Sequence, residues 1–298
     1  MSSHSTRTHV IAFTNQKGGC GKTTTAVSLA AGMAKAGHSV VVVDIDPQCN
    51  ATDSFGLNRE QLQHTGRFTV ADAYLAKRTL PDILIDFGDR FGENLFVVPG
   101  HRGLSTVPQR LESELHVAIA TEEAAELDAD ELRNEHRRRL KAAVQPLTGR
   151  VDFVLIDTPP DLGFLMTSAL IAADYFIIPV FPSGYDLKGL ETLMKTAERV
   201  QSRLNPNLRL LGVVLGNLDS TARLDADIQS MLRAKFGADL VFHTMISRSV
   251  KHREAPVYGK TIFEHAPGQT ASNQFAELTR EVVSRVAELK PARKESYA

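Results

Sequence analysis

Residues 10–36 read as an apolar run, a glycine-rich loop and a helix pattern with no break between them, and few folds accept that order. Val10–Thr14 is a short apolar stretch that predicts a buried parallel strand. Asn15-Gln-Lys-Gly-Gly-Cys-Gly-Lys-Thr-Thr24 follows, with glycines at 18, 19 and 21. From Lys22 the chain predicts a helix, with apolar residues at 26, 29, 30 and 33 and Gly37 as its stop. Glycines let backbone N–H groups approach a polyphosphate with no Cβ in the way, and a helix N-terminus adds its own attraction for anions. Lys22 is then placed to meet the β- and γ-phosphates, and the Thr23 hydroxyl to ligate Mg²⁺. The ordinary G-x-x-x-x-G-K-[ST] pattern nevertheless fails, because Gln16-Lys17 stand where its first glycine belongs.

The rest of the chain alternates. Strand patterns fall near 10–14, 39–44, 94–98, 152–157, 175–180 and 210–216. Helix patterns fall near 22–36, 104–119, 122–145, 163–173, 186–203, 224–236 and 272–289. This predicts an α/β fold: a doubly wound, mostly parallel sheet with helices on both faces. We expect one domain over 10–289, with flexible tails at 1–9 and 290–298. The first nine residues are polar and lack the apolar core of a signal peptide. The longest apolar candidate for a membrane span, Ala169–Phe181, is broken by Asp174 and Pro179. Cys20 and Cys49 are too few for a disulfide framework, so a cytoplasmic location is expected.

Three apolar runs end in aspartate, at Asp44, Asp86 and Asp157. A carboxylate at the C-terminal end of a parallel strand lies where such sheets bind ligands. Structured turns follow Asp44 and Asp157, whereas Phe-Gly-Asp-Arg follows Asp86, which reads as a loop residue. Asp46, just before Pro47, fits a turn cap on its local sequence alone. Formal net charge is only −1, but it is unevenly spread. Residues 112–135 hold nine acidic residues and one basic; residues 199–260 hold ten basic and five acidic. Asymmetry of that kind makes a one-sided basic face, or two solvated ones.

Four segments in this order resemble the ParA/MinD group of ATPases, the ParA branch in particular. Lys17–Thr24 looks like their deviant Walker A box. Val41-Val-Val-Asp-Ile-Asp-Pro-Gln-Cys-Asn50 resembles the second box. Val154-Leu-Ile-Asp-Thr-Pro-Pro160 resembles the Walker B and switch region, and Ser249-Val-Lys-His-Arg-Glu-Ala-Pro256 the late signature. The likeness runs from about residue 8 to residue 289. It implies ATP or ADP with Mg²⁺, held by Lys17, Gly18, Gly19, Cys20, Gly21, Lys22, Thr23 and Thr24. Thr23, Asp44 and Asp157 are implied on the metal side, Asp157 through water. Lys17, Lys22 and Asp46 are implied in catalysis, with Asp46 positioning the attacking water. Lys17 is implied to reach the nucleotide of a second subunit in an ATP-dependent homodimer. Asn217 resembles an adenine-reading asparagine of some relatives, or simply caps a strand-end turn. Cys49 is a mild departure, since a smaller residue is usual there; a redox role for the two cysteines is a weaker reading than ordinary loop packing.

The same likeness implies non-specific DNA binding, with Arg223, Arg248, Lys251 and Arg253 as candidates, and a nucleoid-associated location. A slow ATPase stimulated by a ParB-type partner and moving plasmid or chromosomal DNA is the leading expectation. A cargo-positioning ATPase with its own adaptor, a MinD-like membrane-cycling regulator and a biosynthetic enzyme of the wider class are the alternatives. Glu122, Glu123 and Glu126 mark an acidic stretch that could receive a basic partner segment. With about nine residues before the first strand, the operator-binding helix-turn-helix of the long plasmid-type relatives is not expected. Phe275, Leu278, Val282, Val283, Val286 and Leu289 give the last helix the spacing of a packed element rather than a membrane anchor.

Overall fold

The computed structural model describes residues 7–92, 94–120, 129–182, 187–219 and 223–289. Most of the two expected tails, the first part of the helix pattern at 122–145 and the acidic Glu122, Glu123 and Glu126 lie outside these residues.

One sheet organises the chain. Its strands are β1 (His9–Phe13), β2 (Val40–Asp44), β3 (Ile85–Asp86), β4 (Leu95–Val98), β5 (Phe153–Asp157), β6 (Tyr175–Val180) and β7 (Arg209–Leu215). Their order is β3-β4-β2-β5-β1-β6-β7, and every pairing is parallel except β3 with β4. The doubly wound α/β expectation holds. Strand residues alternate between two apolar layers: Val41 and Val43 face one, Val40 and Val42 the other. Both faces are covered, which is why β2 and β5 are buried along their whole length.

One layer rests on the helices Val107–Ala120, Ala129–Val144, Phe164–Ala172 and Leu187–Arg203. The other rests on the helices Lys22–Lys35 and Thr270–Glu288. In the last of these Phe275, Leu278, Val282 and Val286 are buried as their spacing predicts. Among the described residues no helix is long and apolar enough to cross a membrane.

Two local features were not legible. Asp86, expected in a loop, ends the short antiparallel edge strand β3, and its carboxylate accepts the Gly88 N–H at 2.7 Å. Two residues are too few to carry a periodic signal. The late signature folds as a helix, Lys251–Val257, with Pro256 tolerated near its end.

Candidate nucleotide site

Sheet order brings the site together. β1 lies between β5 and β6, and β5 lies between β1 and β2. In that register Phe13 and Asp44 both pair with Asp157. The glycine loop after β1, the aspartates ending β2 and β5, and the turn after β7 therefore share the carboxyl edge of a parallel sheet, where such folds bind ligands.

Asn15 tethers the loop. Its amide donates to the Pro179 carbonyl at 2.7 Å, and its oxygen accepts the Lys17 N–H at 3.1 Å. Gly19 and Gly21 have φ of 72° and 91°, the left-handed region that glycine adopts without a Cβ penalty. Added Cβ atoms at Gly18 and Gly19 would meet nothing within 4 Å, so that side of the loop is open. Lys22 opens the helix Lys22–Lys35 and is only 6% exposed. Its Nζ donates to the Lys17 carbonyl at 3.3 Å, curling back under the loop. Lys17 itself, with Gln16, stands exposed at the rim. Cys20 is buried, and that burial pushes its thiol upward, away from a reactive thiolate. Cys20 and Cys49 are not joined by a disulfide.

The three aspartates have different surroundings. Asp157 accepts the Thr23 hydroxyl at 2.7 Å through Oδ2, while its buried Oδ1 has no partner. Burial and then the charge of Asp44 push its carboxyl well above the usual range. A buried carboxylate oxygen left unpaired beside a threonine hydroxyl fits the outer sphere of a hydrated Mg²⁺, which takes few carboxylates directly. Asp44 is engaged on both oxygens. Thr52 gives its N–H at 2.8 Å and its hydroxyl at 2.7 Å to Oδ2, and the Asp46 N–H reaches Oδ1 at 3.1 Å. Burial pushes this carboxyl up to about 7. Asp44 can thus shape the turn around the site, and Oδ1, with a single donor, keeps acceptor capacity toward it. The Asp46 carboxylate accepts the Gln48 N–H at 2.9 Å through Oδ1 and has no second donor among the described residues. Burial, partly offset by the Gln48 bond and by Lys22, leaves its carboxyl more basic than usual.

Sequence reasoning missed three supports. Thr52 holds Asp44 and also accepts the Gly100 N–H at 2.8 Å. The Thr158 hydroxyl, next to Asp157, locks β5 to β1 through the Phe13 carbonyl at 2.6 Å. Phe181, just past β6, wedges between the loop and β7. A Cβ on Gly21 would stand 2.5 Å from the Phe181 Cζ, and one on Gly216 would stand 2.7 Å from its Cε1. A signal for the last was present in the glycine at the end of the β7 run, whose purpose no local pattern reveals. Gly21→Ala is predicted to destabilise by about 3 kcal/mol, from a left-handed alanine plus the overlap. That corresponds to a melting temperature lowered by roughly 5–10 °C. The double variant with Phe181→Ala should recover part of the loss, the overlap but not the backbone strain; no recovery would put the whole cost in the backbone.

The remaining candidates sit on the same edge or beside it. Asn217 follows Gly216 with φ 56°, a left-handed turn for a non-glycine residue, and is half-buried. The next residue's carbonyl accepts the Arg248 N–H at 2.8 Å, so Arg248 lies against this turn. Arg248 and Arg253 are exposed; Lys251 is half-buried and its Nζ is paired with Glu254 at 2.8 Å. Arg223 opens the helix Arg223–Phe236, but its side chain lies outside the described residues. Thr24 is half-buried, lining a small cleft with Ser28 and His252.

Residues 8–210 match the family model described as an AAA domain. The chain is 35% identical to the chromosome-partitioning ATPase Soj of Thermus thermophilus over 278 residues, 93% of this chain and 96% of that one. It is also 35% identical to the chromosome partitioning protein ParA of Caulobacter vibrioides, covering 93% of this chain and 94% of the other. Among solved structures, the cobyrinic acid a,c-diamide synthase of Mycobacterium smegmatis, with a bound ATP analogue and magnesium, superposes with a TM-score of 0.74 at 25% identity, covering 95% of this chain and 98% of that one.

Proposed function

The chain belongs to the ParA family of partition ATPases, and from that premise we propose that it is an ATP-dependent dimerising switch that binds DNA without sequence preference in its ATP state and partitions DNA with a ParB-type partner. One observation carries the reading. Of the two loop lysines, Lys22 is buried beneath the loop while Lys17 stands exposed at its rim. Burial of the first suits a role on the chain's own nucleotide, and exposure of the second suits a reach toward a nucleotide across an interface. A cation supplied from a second subunit stabilises charge on a transferred phosphoryl and makes dimerisation depend on that phosphoryl. Thr23, with Asp157 through water, would hold Mg²⁺, which would supply charge neutralisation of the phosphates. Asp46 orients and accepts a proton from water. Arg248, Arg253 and Arg223 contact DNA phosphates, with Lys251 contributing once released from Glu254. A dimer doubles those contacts, so nucleotide state gates DNA affinity through multivalency.

The identity to Soj and ParA chains favours this reading over a biosynthetic one, because the synthase likeness is weaker in sequence. Slow hydrolysis, stimulation by the partner and a nucleoid location belong to the same proposal. DNA binding measured with ADP, with ATP and with ATP plus Lys17→Ala tests it. With ATP, binding to unrelated duplexes should fall steeply with salt, with a slope of about −0.9 per phosphate contact. Lys17→Ala with ATP should bind no better than the ADP form. Absence of DNA binding in every state, with ATP bound and the dimer formed, would leave the basic face as solvated surface.

A further inference from the structure

Arg90, on the short helix Gly88–Phe91, uses every nitrogen of its guanidinium to join three segments. Nε and NH2 each donate to Glu264 at 2.7 Å, a two-pronged ion pair. NH1 donates to the Phe55 carbonyl at 2.6 Å, and NH2 also reaches the Gly259 carbonyl at 3.1 Å. The plane lies over the Phe87 ring, 5.3 Å from its centre, and Phe87 packs on Phe55. Beside it the chains at Gly56 and Gly259 nearly touch: a Cβ on Gly259 would stand 2.6 Å from the Gly56 Cα.

The joined segments have different business. Phe55 ends the helix Asn50–Ser54, whose Thr52 is tied to Asp44 at the nucleotide site. Between Asp46 and that helix sits Cys49, with φ of 56°, a strained backbone position suited to a hinge. Gly259 follows the helix Lys251–Val257, which bears Lys251 and Arg253, and Glu264 caps the next helix by accepting the Thr261 N–H at 2.8 Å. A guanidinium is planar and rigid, and a hydrogen bond tolerates only a few tenths of an ångström of stretch. Phe55 therefore cannot shift against Gly259 and Glu264 without breaking a bond to Arg90.

We infer that Arg90 is a positioning residue that transmits the state of the nucleotide site, through the segment 46–56, to the basic helix Lys251–Val257. The inference rests on the proposed switch for its biological meaning and for its DNA-affinity readout, but not for its hydrogen-exchange test. A coupling claim needs an element that both sites bias, not mere adjacency. Here that element is the helix Asn50–Ser54 and Phe55 with the Lys251–Val257 helix, moving together about Cys49.

Amide hydrogen exchange of the full chain, with Mg²⁺ and either ADP or a non-hydrolysable ATP analogue, reads both ends at once. In the wild type, protection should differ between the two nucleotides over 46–56 and over 251–260. In Arg90→Met the difference should persist over 46–56 and vanish over 251–260. The ATP-to-ADP ratio of DNA affinities should fall at least about 5-fold, the low end of ordinary coupling. A merely structural Arg90 would instead raise exchange over 251–260 equally in both states. That outcome, or a folded Arg90→Met that keeps the nucleotide response over 251–260, overturns the inference. If Arg90→Met does not fold, Glu264→Gln replaces it: it weakens the ion pair while sparing the bonds to Phe55 and Gly259. Its response over 251–260 should shrink, and an undiminished response overturns the inference. A wild type whose 251–260 segment ignores the nucleotide also overturns it. A wild type that shows the response yet never binds DNA overturns the DNA reading and leaves the coupling standing.

Discussion

Lys22→Ala is expected to weaken ATP binding by about 100-fold or more and to leave no measurable hydrolysis. Lys22 is the buried cation of a site that otherwise gathers Asp44, Asp46 and Asp157, all buried. Its charge holds down both Asp46 and Asp157. Removing it deletes charge-assisted bonds to the phosphates, each worth about 1.5–3 kcal/mol. It also leaves the incoming polyphosphate facing carboxylates without the buried ammonium that offsets them. Two such bonds amount to roughly 3–6 kcal/mol, and each 1.4 kcal/mol is about tenfold in affinity. Lys22→Arg should not restore binding, because a planar fork cannot take the path of a compact ammonium curled under the loop. Titration calorimetry with ATP and Mg²⁺ on folded variant protein reads the effect. Affinity within threefold of wild type would remove Lys22 from the phosphate site.

Asp46→Ala is expected to lower the hydrolysis rate by about 10²–10⁴-fold, the usual contribution of a positioned base, while ATP affinity is kept or improved. Asp46 has one oxygen bonded to the Gln48 N–H and the other free of protein donors among the described residues. Burial raises its carboxyl toward the operating pH, which favours proton acceptance. Removing a buried negative charge also relieves its repulsion of the γ-phosphate. The variant should therefore accumulate the ATP-bound dimer and stay on DNA. Phosphate release, measured beside ATP affinity, separates the two effects. Hydrolysis within tenfold of wild type would return Asp46 to a turn cap beside Pro47.

The parts of the site legible in advance were those written in contiguous residues. Gly19 and Gly21 announce left-handed backbone, and the helix pattern from Lys22 announces where the loop ends. The apolar runs ending at Asp44 and Asp157 place carboxylates at strand ends, and the structure has both there. The parts not legible depend on who lies beside whom. Nothing near Asp44 in sequence says that Thr52 and the Asp46 N–H occupy both its oxygens. Lys251 and Glu254 are i,i+3 neighbours on one helix, but nothing near them says that His265 joins the pair, 2.9 Å from Glu254. The Arg223 side chain and the acidic Glu122, Glu123 and Glu126 lie outside the described residues and stay sequence expectations.

Sequence by itself determined the phosphate loop, the alternation of strands and helices, and therefore the doubly wound sheet. Such features follow from local backbone preference and from the period of apolar residues, which adjacent positions carry. Tertiary structure alone decided the pairing of Asp44 with Asp157 across neighbouring strands and the wedging of Phe181 between Gly21 and Gly216. It alone placed Arg90 against Phe55, Gly259 and Glu264, the last 174 positions away. Those contacts join residues far apart in the chain, so strand order and close packing choose them, and no stretch of neighbouring residues encodes them.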